Sequence, residues 1–272
     1  MKTTKLLGLG IAIGTLAAVT ARADERLFTY TYEPETTPKG TFEFEQWVTS
    51  RIGRNATVGQ EGYQLWQFRE EFEYGVTDNY TVSLYVNHDY ESFKVPSTGL
   101  SSSKYHWTGI SLENKYMVWN PADHAVGLTL YLEPTYDGDN FELEQKIIIG
   151  QRHGDWKWAL NLVHATEWTD DFRETEGELE LDFGIAYQLN PRWAIGVELR
   201  DHNELPEYST WENTALYLGP VVSYKSEHWW GALTVMPQIA GVNFTGNIDG
   251  NHSLELEGHE RWNIRLLAGY SF

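Results

Sequence analysis

Arg261-Trp262-Asn263-Ile264-Arg265-Leu266-Leu267-Ala268-Gly269-Tyr270-Ser271-Phe272 is the stretch that decides how the rest of the chain is read. Every second residue back from the end, Phe272, Tyr270, Ala268, Leu266, Ile264 and Trp262, falls on one apolar face. The other face carries Ser271, Gly269, Leu267, Arg265 and Asn263, which are mostly small or polar. Alternation with period two is the signature of a strand. A strand of roughly ten residues whose apolar face has aromatics at both ends matches a tilted β crossing of a bilayer.

The same alternation recurs N-terminally from Gly40. It places strands at about 41–51, 63–74, 80–92, up to Trp119, from Val126 to Glu133, 141–151, from Trp156, 179–189, from Trp193, 216–224 and from Trp229 to Ile239. Counted back from Phe272, the connections alternate in kind. Longer ones begin near Arg54, Lys94, Thr169, Asn203 and Gly241, with a shorter member at Asp137-Gly138-Asp139. Short turns lie at Val76–Asn79, Asn120–Asp123, His153–Asp155, Asn190–Arg192 and Ser226–His228. A secreted β-sandwich, the competing fold, has no reason to sort its loops by parity, and its strands are shorter. The expected fold is therefore all-β: a closed antiparallel up-and-down transmembrane β-barrel of about twelve strands, an even number as such barrels have, with a periplasmic C-terminus.

Lys2 and Lys5 precede an apolar run from Leu6 to Val19, and Ala21-Arg22-Ala23 supplies small residues for cleavage. Residues 1–23 are thus expected to be a signal peptide cleaved after Ala23. Residues 24–39 contain Pro34 and Pro38 and are expected to be an extended N-terminal segment outside the ladder. Residues 40–272 form the barrel. No other run approaches a transmembrane helix. Aromatic residues make up 14% of the chain, with 12 Trp and 16 Tyr, which suits interfacial girdles. Cysteine is absent, so disulfides, thiol catalysis and Cys-ligated metals are excluded. The net charge of −19 excludes a basic nucleic-acid surface.

The closing strand, ending on Phe272, resembles that of bacterial outer-membrane β-barrels, whose assembly machinery reads a terminal aromatic. Glu33-Pro34 and Thr37-Pro38-Lys39-Gly40 before the first strand, with Leu218-Gly219-Pro220 in the tenth, resemble poorly characterised proteobacterial outer-membrane barrels. Those are loosely grouped with aromatic-degradation channels. The resemblance implies fold and location in the bacterial outer membrane, and no site residues. Expected partners are outer-membrane lipids and lipopolysaccharide, the barrel-assembly machinery and small solutes.

If the apolar faces meet lipid, the others meet a lumen. Its acids include Glu43, Glu45, Glu71, Glu73, Asp89, Glu113, Glu133, Asp182 and Glu198, and its bases Arg51, Arg69, Lys115, Lys146, Lys157, Arg200 and Arg265. Hairpin registers put Asp182 beside Arg200, Glu45 near Glu71, Trp47 near Arg69, and Arg265 level with Glu45 or Thr49. The candidate constriction is Glu43, Glu45, Arg69, Glu71, Glu73, Asp182, Glu198, Arg200 and Arg265, with Arg69 and Arg265 joining the acids at the seam. Charged rings of this kind select ions in pores, and paired charges can equally fill a narrow barrel. Twelve strands lie between filled and open barrels.

Gln46, Glu70, His88 and Asn114 break the outward apolar faces. A bulge turning Glu70 inward or an oligomer contact accounts for them better than catalysis, since no Ser shares that face with His88 at a position that supports a Ser–His pair. Neither catalytic residues nor a cofactor is expected. The His residues do not recur at ligand spacing, and Asp137, Asp139 and Asn140 read as a solvated turn, so no metal site is expected. The function expected is a narrow channel for passive diffusion of small polar or cationic solutes, with a plugged structural barrel and a lipid-modifying enzyme as alternatives.

Overall fold

A computed structural model describes residues 26–55, 59–170, 172–246 and 253–272. The expected signal peptide and its cleavage point lie outside the described residues. Alternating apolar and polar residues build twelve strands: β1 (Phe42–Ile52), β2 (Glu61–Thr77), β3 (Tyr80–Lys94), β4 (Ser101–Trp119), β5 (Gly127–Tyr136), β6 (Phe141–His153), β7 (Trp156–Thr169), β8 (Glu174–Gln188), β9 (Trp193–Leu205), β10 (Asn213–Lys225), β11 (Trp229–Asn243) and β12 (Trp262–Ser271). Each pairs antiparallel with its sequence neighbours, and β12 closes on β1 from Glu43↔Ser271 to Ile52↔Trp262. Closure leaves no edge with unpaired backbone groups, which a bilayer demands.

Side-chain parity then sorts the wall. Phe72, Leu84, Leu112, Leu130, Ile195 and Leu266 point outward and are exposed, whereas Glu43, Glu73, Glu113 and Glu198 point inward and are fully buried. An apolar exterior over a polar interior inverts the soluble pattern and is the pattern of a membrane barrel. Aromatics band both rims. At the rim bearing the short turns, Phe272 packs on Phe42 and Tyr270, Trp229 on Tyr270, Trp193 on Tyr224 and Trp156 on Tyr187, with centroids 4.7–5.3 Å apart. At the opposite rim Trp66, Tyr105, Trp107, Tyr136 and Trp262 are exposed.

The loop rim differs in one respect from the sequence expectation. Ser101–Lys104, Glu174–Gly177 and Asn203–Leu205, expected in loops, are strand. β2 has 17 residues and β4 has 19, well beyond the roughly ten that cross a bilayer. The long side of the barrel is thus built by overhanging hairpins, whose polar alternation continues past the apolar band.

Residues 26–37 occupy the interior. The chain lies inside the turn end near Arg192 and Lys225 at Arg26 and Leu27, rises to a tip at Thr29-Tyr30-Thr31, and descends past Pro34 to leave at Gly75 and Asp78. Leu27, Phe28, Tyr30 and Tyr32 are at most 6% exposed. The wall thins to receive them. Phe28 packs with Ala159, Ala186, Ala194 and Val221, and its ring lies where a Cβ on Gly184 would sit. Pro34 lies against Gly127 and Gly150, and the backbone of Thr37 and Pro38 against Gly75. The segment contributes no strand to the ladder. Its position in the lumen is the feature the alternation could not disclose.

Candidate functional site

The lumen is layered, and the lowest layer is acidic. Glu43, Glu45, Glu71, Glu73 and Glu113 alternate inward on β1, β2 and β4 and are at most 2% exposed. Trp230 Nε1 donates to Glu43 at 2.6 Å, and Ser271 donates to the same carboxylate. Trp47 Nε1 bridges Glu45 and Glu71 at 3.0 and 3.1 Å. Tyr85 donates to Glu113 at 2.5 Å, while Lys115 Nζ meets Glu73 at 3.2 Å. Glu73 also accepts from Thr37 of the inserted segment. The Arg26 guanidinium lies 4.0 Å over the Tyr32 ring and 4.6 Å over Trp47. This layer is a filled polar core. Each carboxylate is hydrogen-bonded, which a low-dielectric interior requires.

The middle layer fixes the inserted segment. Glu198 accepts from Thr29 N at 3.0 Å, Tyr30 N at 2.8 Å and Thr31 N at 2.9 Å, and from the Thr29 and Thr234 hydroxyls. Three consecutive amides around one anion form a nest, here turned inward on the protein's own side chain. Asn161 makes the reciprocal pair with Tyr32, accepting from its N at 2.6 Å and donating to its O at 2.9 Å. Lys157 meets Glu33 at 3.0 Å and Glu35 at 2.9 Å, and Thr129 donates to Pro34 O at 2.5 Å. The polar anchors of Thr29–Thr37 sit on six strands: Glu73 on β2, Thr81 on β3, Thr129 on β5, Lys157 and Asn161 on β7, Glu198 on β9 and Arg265 on β12.

Above the tip lies a vestibule of about 350 Å³, floored by Tyr30, Tyr32 and Trp47. Arg265 stacks 3.7 Å over Tyr30 and donates from Nε to Thr49 Oγ1 at 2.8 Å. Lys146 Nζ lies 4.1 Å from the Tyr32 centroid and pairs with Glu144 at 2.9 Å. Arg69 stacks 4.1 Å over Tyr85 and pairs with Glu133. Arg200 pairs with Glu180 at 2.5 Å.

All nine candidate constriction residues face the interior, at the registers read from the hairpins: Asp182↔Arg200, Glu45↔Glu71, Trp47↔Arg69 and Thr49↔Arg265. The expected gathering of Glu43, Glu45, Glu71, Glu73, Arg69 and Arg265 at the seam is corrected. The acids Glu43, Glu45, Glu71 and Glu73 stay low, with Lys115 and Arg26 as their cations. Arg69 and Arg265 rise to the vestibule, because Tyr30, Tyr32 and Trp47 interpose and offer ring faces to the guanidiniums. Asp182 is beside Arg200, yet the guanidinium bonds Glu180 instead. The sequence reading missed Arg26, Phe28, Tyr30, Tyr32, Glu142, Glu178 and Glu180. The run of small inward residues Ala159, Gly184, Ala186 and Ala194 was the available signal for an internal ligand of the wall.

Two outer features also resolve. Glu70 is not turned inward by a bulge: it pairs regularly with Gln46 and Val86, and the irregularity falls at Asn87/His88. Gln46 Nε2 donates to Glu70 at 3.0 Å, and His88 Nε2 lies 3.3 Å from it, so the polar trio pairs within itself on the outer wall. Asp137 accepts N–H bonds from Asp139 and Asn140, at 2.8 and 2.6 Å. Burial pushes its carboxyl up, but these donors outweigh that and hold it below the usual range. Asp137 thus organises its turn.

Fold and lumen together define a β-barrel of the outer-membrane type with an internal N-terminal plug. Among solved structures it resembles the COG4313 outer membrane channel from Pseudomonas putida F1, with a TM-score of 0.62 at 12% identity over 90% of this chain and 100% of that one. It also resembles the NanC porin (0.50, 9%, 84% and 98%) and the KdgM porin in complex with disordered oligogalacturonate (0.50, 11%, 85% and 99%). At such identities the likeness is one of fold. No curated protein matches the sequence. The chain belongs to DUF6662, a family of unknown function, which matches residues 20–147 and 140–272.

Proposed function

We propose that this protein is an outer-membrane channel for passive diffusion of small polar solutes, cations included, whose resting constriction is its own residues 26–39. The observation that carries the reading is how the plug is held. Glu198, Asn161, Lys157 and Thr129 grip it through hydrogen bonds and ion pairs. Bonds of this kind exchange with water at small net cost, about 1 kcal/mol each. A polar vestibule above it offers a solute a wetted approach, and its acids Glu133, Glu142, Glu144, Glu178 and Glu180 favour cations on that side.

In this reading the turn rim faces the periplasm and the overhanging hairpins face outward, among lipopolysaccharide. The chain is exported with its leader cleaved after Ala23, and Phe272 presents the closing strand to the barrel-assembly machinery. Catalysis is not part of the reading. A plugged barrel without transport is the second reading, and the burial of Phe28 and Tyr32 favours it.

Planar-bilayer recordings of the purified chain separate the two. A small conductance, cation-selective by reversal potential and enlarged in Glu198→Gln, is expected of the channel. Silence of both proteins at all voltages overturns it in favour of the plugged barrel.

A further inference from the structure

The vestibule carries ionisable groups of opposite kind on facing walls that its own residues leave unpaired. Arg265 on β12 bonds Thr49 Oγ1 and, at 3.4 Å, Thr29 O, and Arg51 on β1 has a buried Nε without a partner. Among the described residues neither guanidinium makes an ion pair. Glu142 on β6 is half-buried, and among the described residues its carboxylate has neither a hydrogen bond nor an ion pair. In the closed ring β6 stands six strands from β12 and five from β1, so these charges face each other across the lumen. All three line the same cavity of about 350 Å³, at the small end of small-molecule sites.

The surroundings sharpen the contrast. On the β12–β1–β2 side the lining is cationic through Arg265, Arg51 and Arg69; on the β6–β8 side Glu142, Glu144, Glu178 and Glu180 prevail. Internal pairing, Arg69 with Glu133, Arg200 with Glu180 and Lys146 with Glu144, leaves the guanidiniums of Arg51 and Arg265 on one wall and the carboxyl of Glu142 on the other without an ion pair among the described residues. Between them the floor is formed by Tyr30 and Tyr32, whose hydroxyls are buried and without a protein partner among the described residues. A half-buried charge is stabilised by an opposite charge with good hydrogen-bond geometry. A solute with a single charge satisfies one wall and leaves the other as it was.

We infer that the vestibule is a binding site for small zwitterions, compounds of the amino-acid class, with the carboxylate held by Arg51 and Arg265 and the ammonium by Glu142. This deepens the channel reading and rests on it, because the ligand enters the lumen from the loop rim. The two walls orient the solute along the β6–β12 axis, directly above the plug tip at Tyr30.

Calorimetric titration of the full chain in detergent tests this without requiring conduction. The probes are leucine and ε-aminocaproate as zwitterions, with hexylamine and hexanoate as single-charge analogues. At least one zwitterion is expected to bind saturably and about tenfold or more tightly than either analogue, as loss of a charge-assisted hydrogen bond implies. Arg51→Gln should weaken the zwitterion and hexanoate and spare hexylamine; Glu142→Gln should weaken the zwitterion and hexylamine and spare hexanoate. Among the described residues neither makes a hydrogen bond or ion pair to the plug, and compact migration of unheated protein on a denaturing gel verifies that each variant has folded. Zwitterions that bind no better than the analogues, or variants without this crossed pattern, overturn the inference even where the bilayer shows a conductance. Silence in the bilayer with crossed binding sinks the channel reading and leaves the site.

Discussion

Tyr30 N donates to Glu198 Oε1 at 2.8 Å, tying the tip of the N-terminal segment to the middle of β9 across 168 residues of sequence. Thr29 N and Thr31 N complete the grip at 3.0 and 2.9 Å. Glu198→Ala strands three buried amides at once. We expect the tip to open with a loss of about 3 kcal/mol, the cost of leaving buried donors unpaired. Hydrogen exchange of residues 28–32 measures it, and exchange as slow as in the parent protein would refute the anchor.

A steric route to the same end comes from the wall. Ring carbons of Phe28 lie 2.7–2.8 Å from where a Cβ on Gly184 would stand. Gly184→Leu should therefore expel Phe28 while β8 keeps its pairing, since Leu is compatible with a strand. The expected readout is a larger single-channel conductance and faster proteolysis of residues 26–39, with the barrel still resistant. A variant with unchanged conductance and an uncut segment would show that the plug tolerates the collision.

The wall of this molecule was legible in the sequence because its physics is periodic. A side chain facing lipid and its neighbour facing the lumen differ in solvent, so parity alone places Glu43, Glu71, Arg200 and Arg265, and hairpin counting fixes Asp182↔Arg200. The plug was not legible, because residues 26–39 follow no period: their order comes from sockets on β2, β3, β5, β7, β9 and β12 that are dispersed in sequence. The partners of long cations escaped for a related reason. Register places Cα atoms, whereas Arg69 reaches past its neighbours to Glu133 and Arg200 chooses Glu180 over Asp182. The triple isoleucine Ile147-Ile148-Ile149, apolar on both faces, was a trace of the plug, since Ile148 packs inward in the cluster holding Tyr32.

Glu70 and His88 pair on the lipid-facing wall at 3.3 Å, with Gln46 as third member. Removing one partner leaves an unpaired charge-bearing group in lipid; removing both removes the liability. Glu70→Leu alone should destabilise the barrel by about 2 kcal/mol, whereas Glu70→Leu with His88→Leu should be neutral or stabilising. Urea unfolding in phospholipid vesicles gives the double-mutant cycle. Additive losses would mean that the trio is no unit and would point to a contact with a second barrel, disrupted by either change.

The loop between β11 and β12 carries an acid-sensitive latch. His259 Nε2 lies 2.8 Å from Asn213 Oδ1, and Glu255 accepts the N–H groups of Glu257, Gly258 and His259. Burial first, then the neighbouring His202, Arg200, Arg51 and Arg54, hold the imidazole well below its ordinary range, with Glu204 at 3.9 Å too distant to reverse this. A neutral folded His beside an unfolded reference near 6.5 means that the open state binds more protons below that pH. The latch is therefore fully stable above about pH 6.5 and loses stability as pH falls from there toward the depressed folded value. Hydrogen exchange of residues 253–261 should accelerate between about pH 6.5 and 5 beyond its intrinsic pH trend. His259→Gln keeps a donor to Asn213 and cannot titrate, so its exchange should lose that excess; an excess that persists in the variant would assign the acid response to another group.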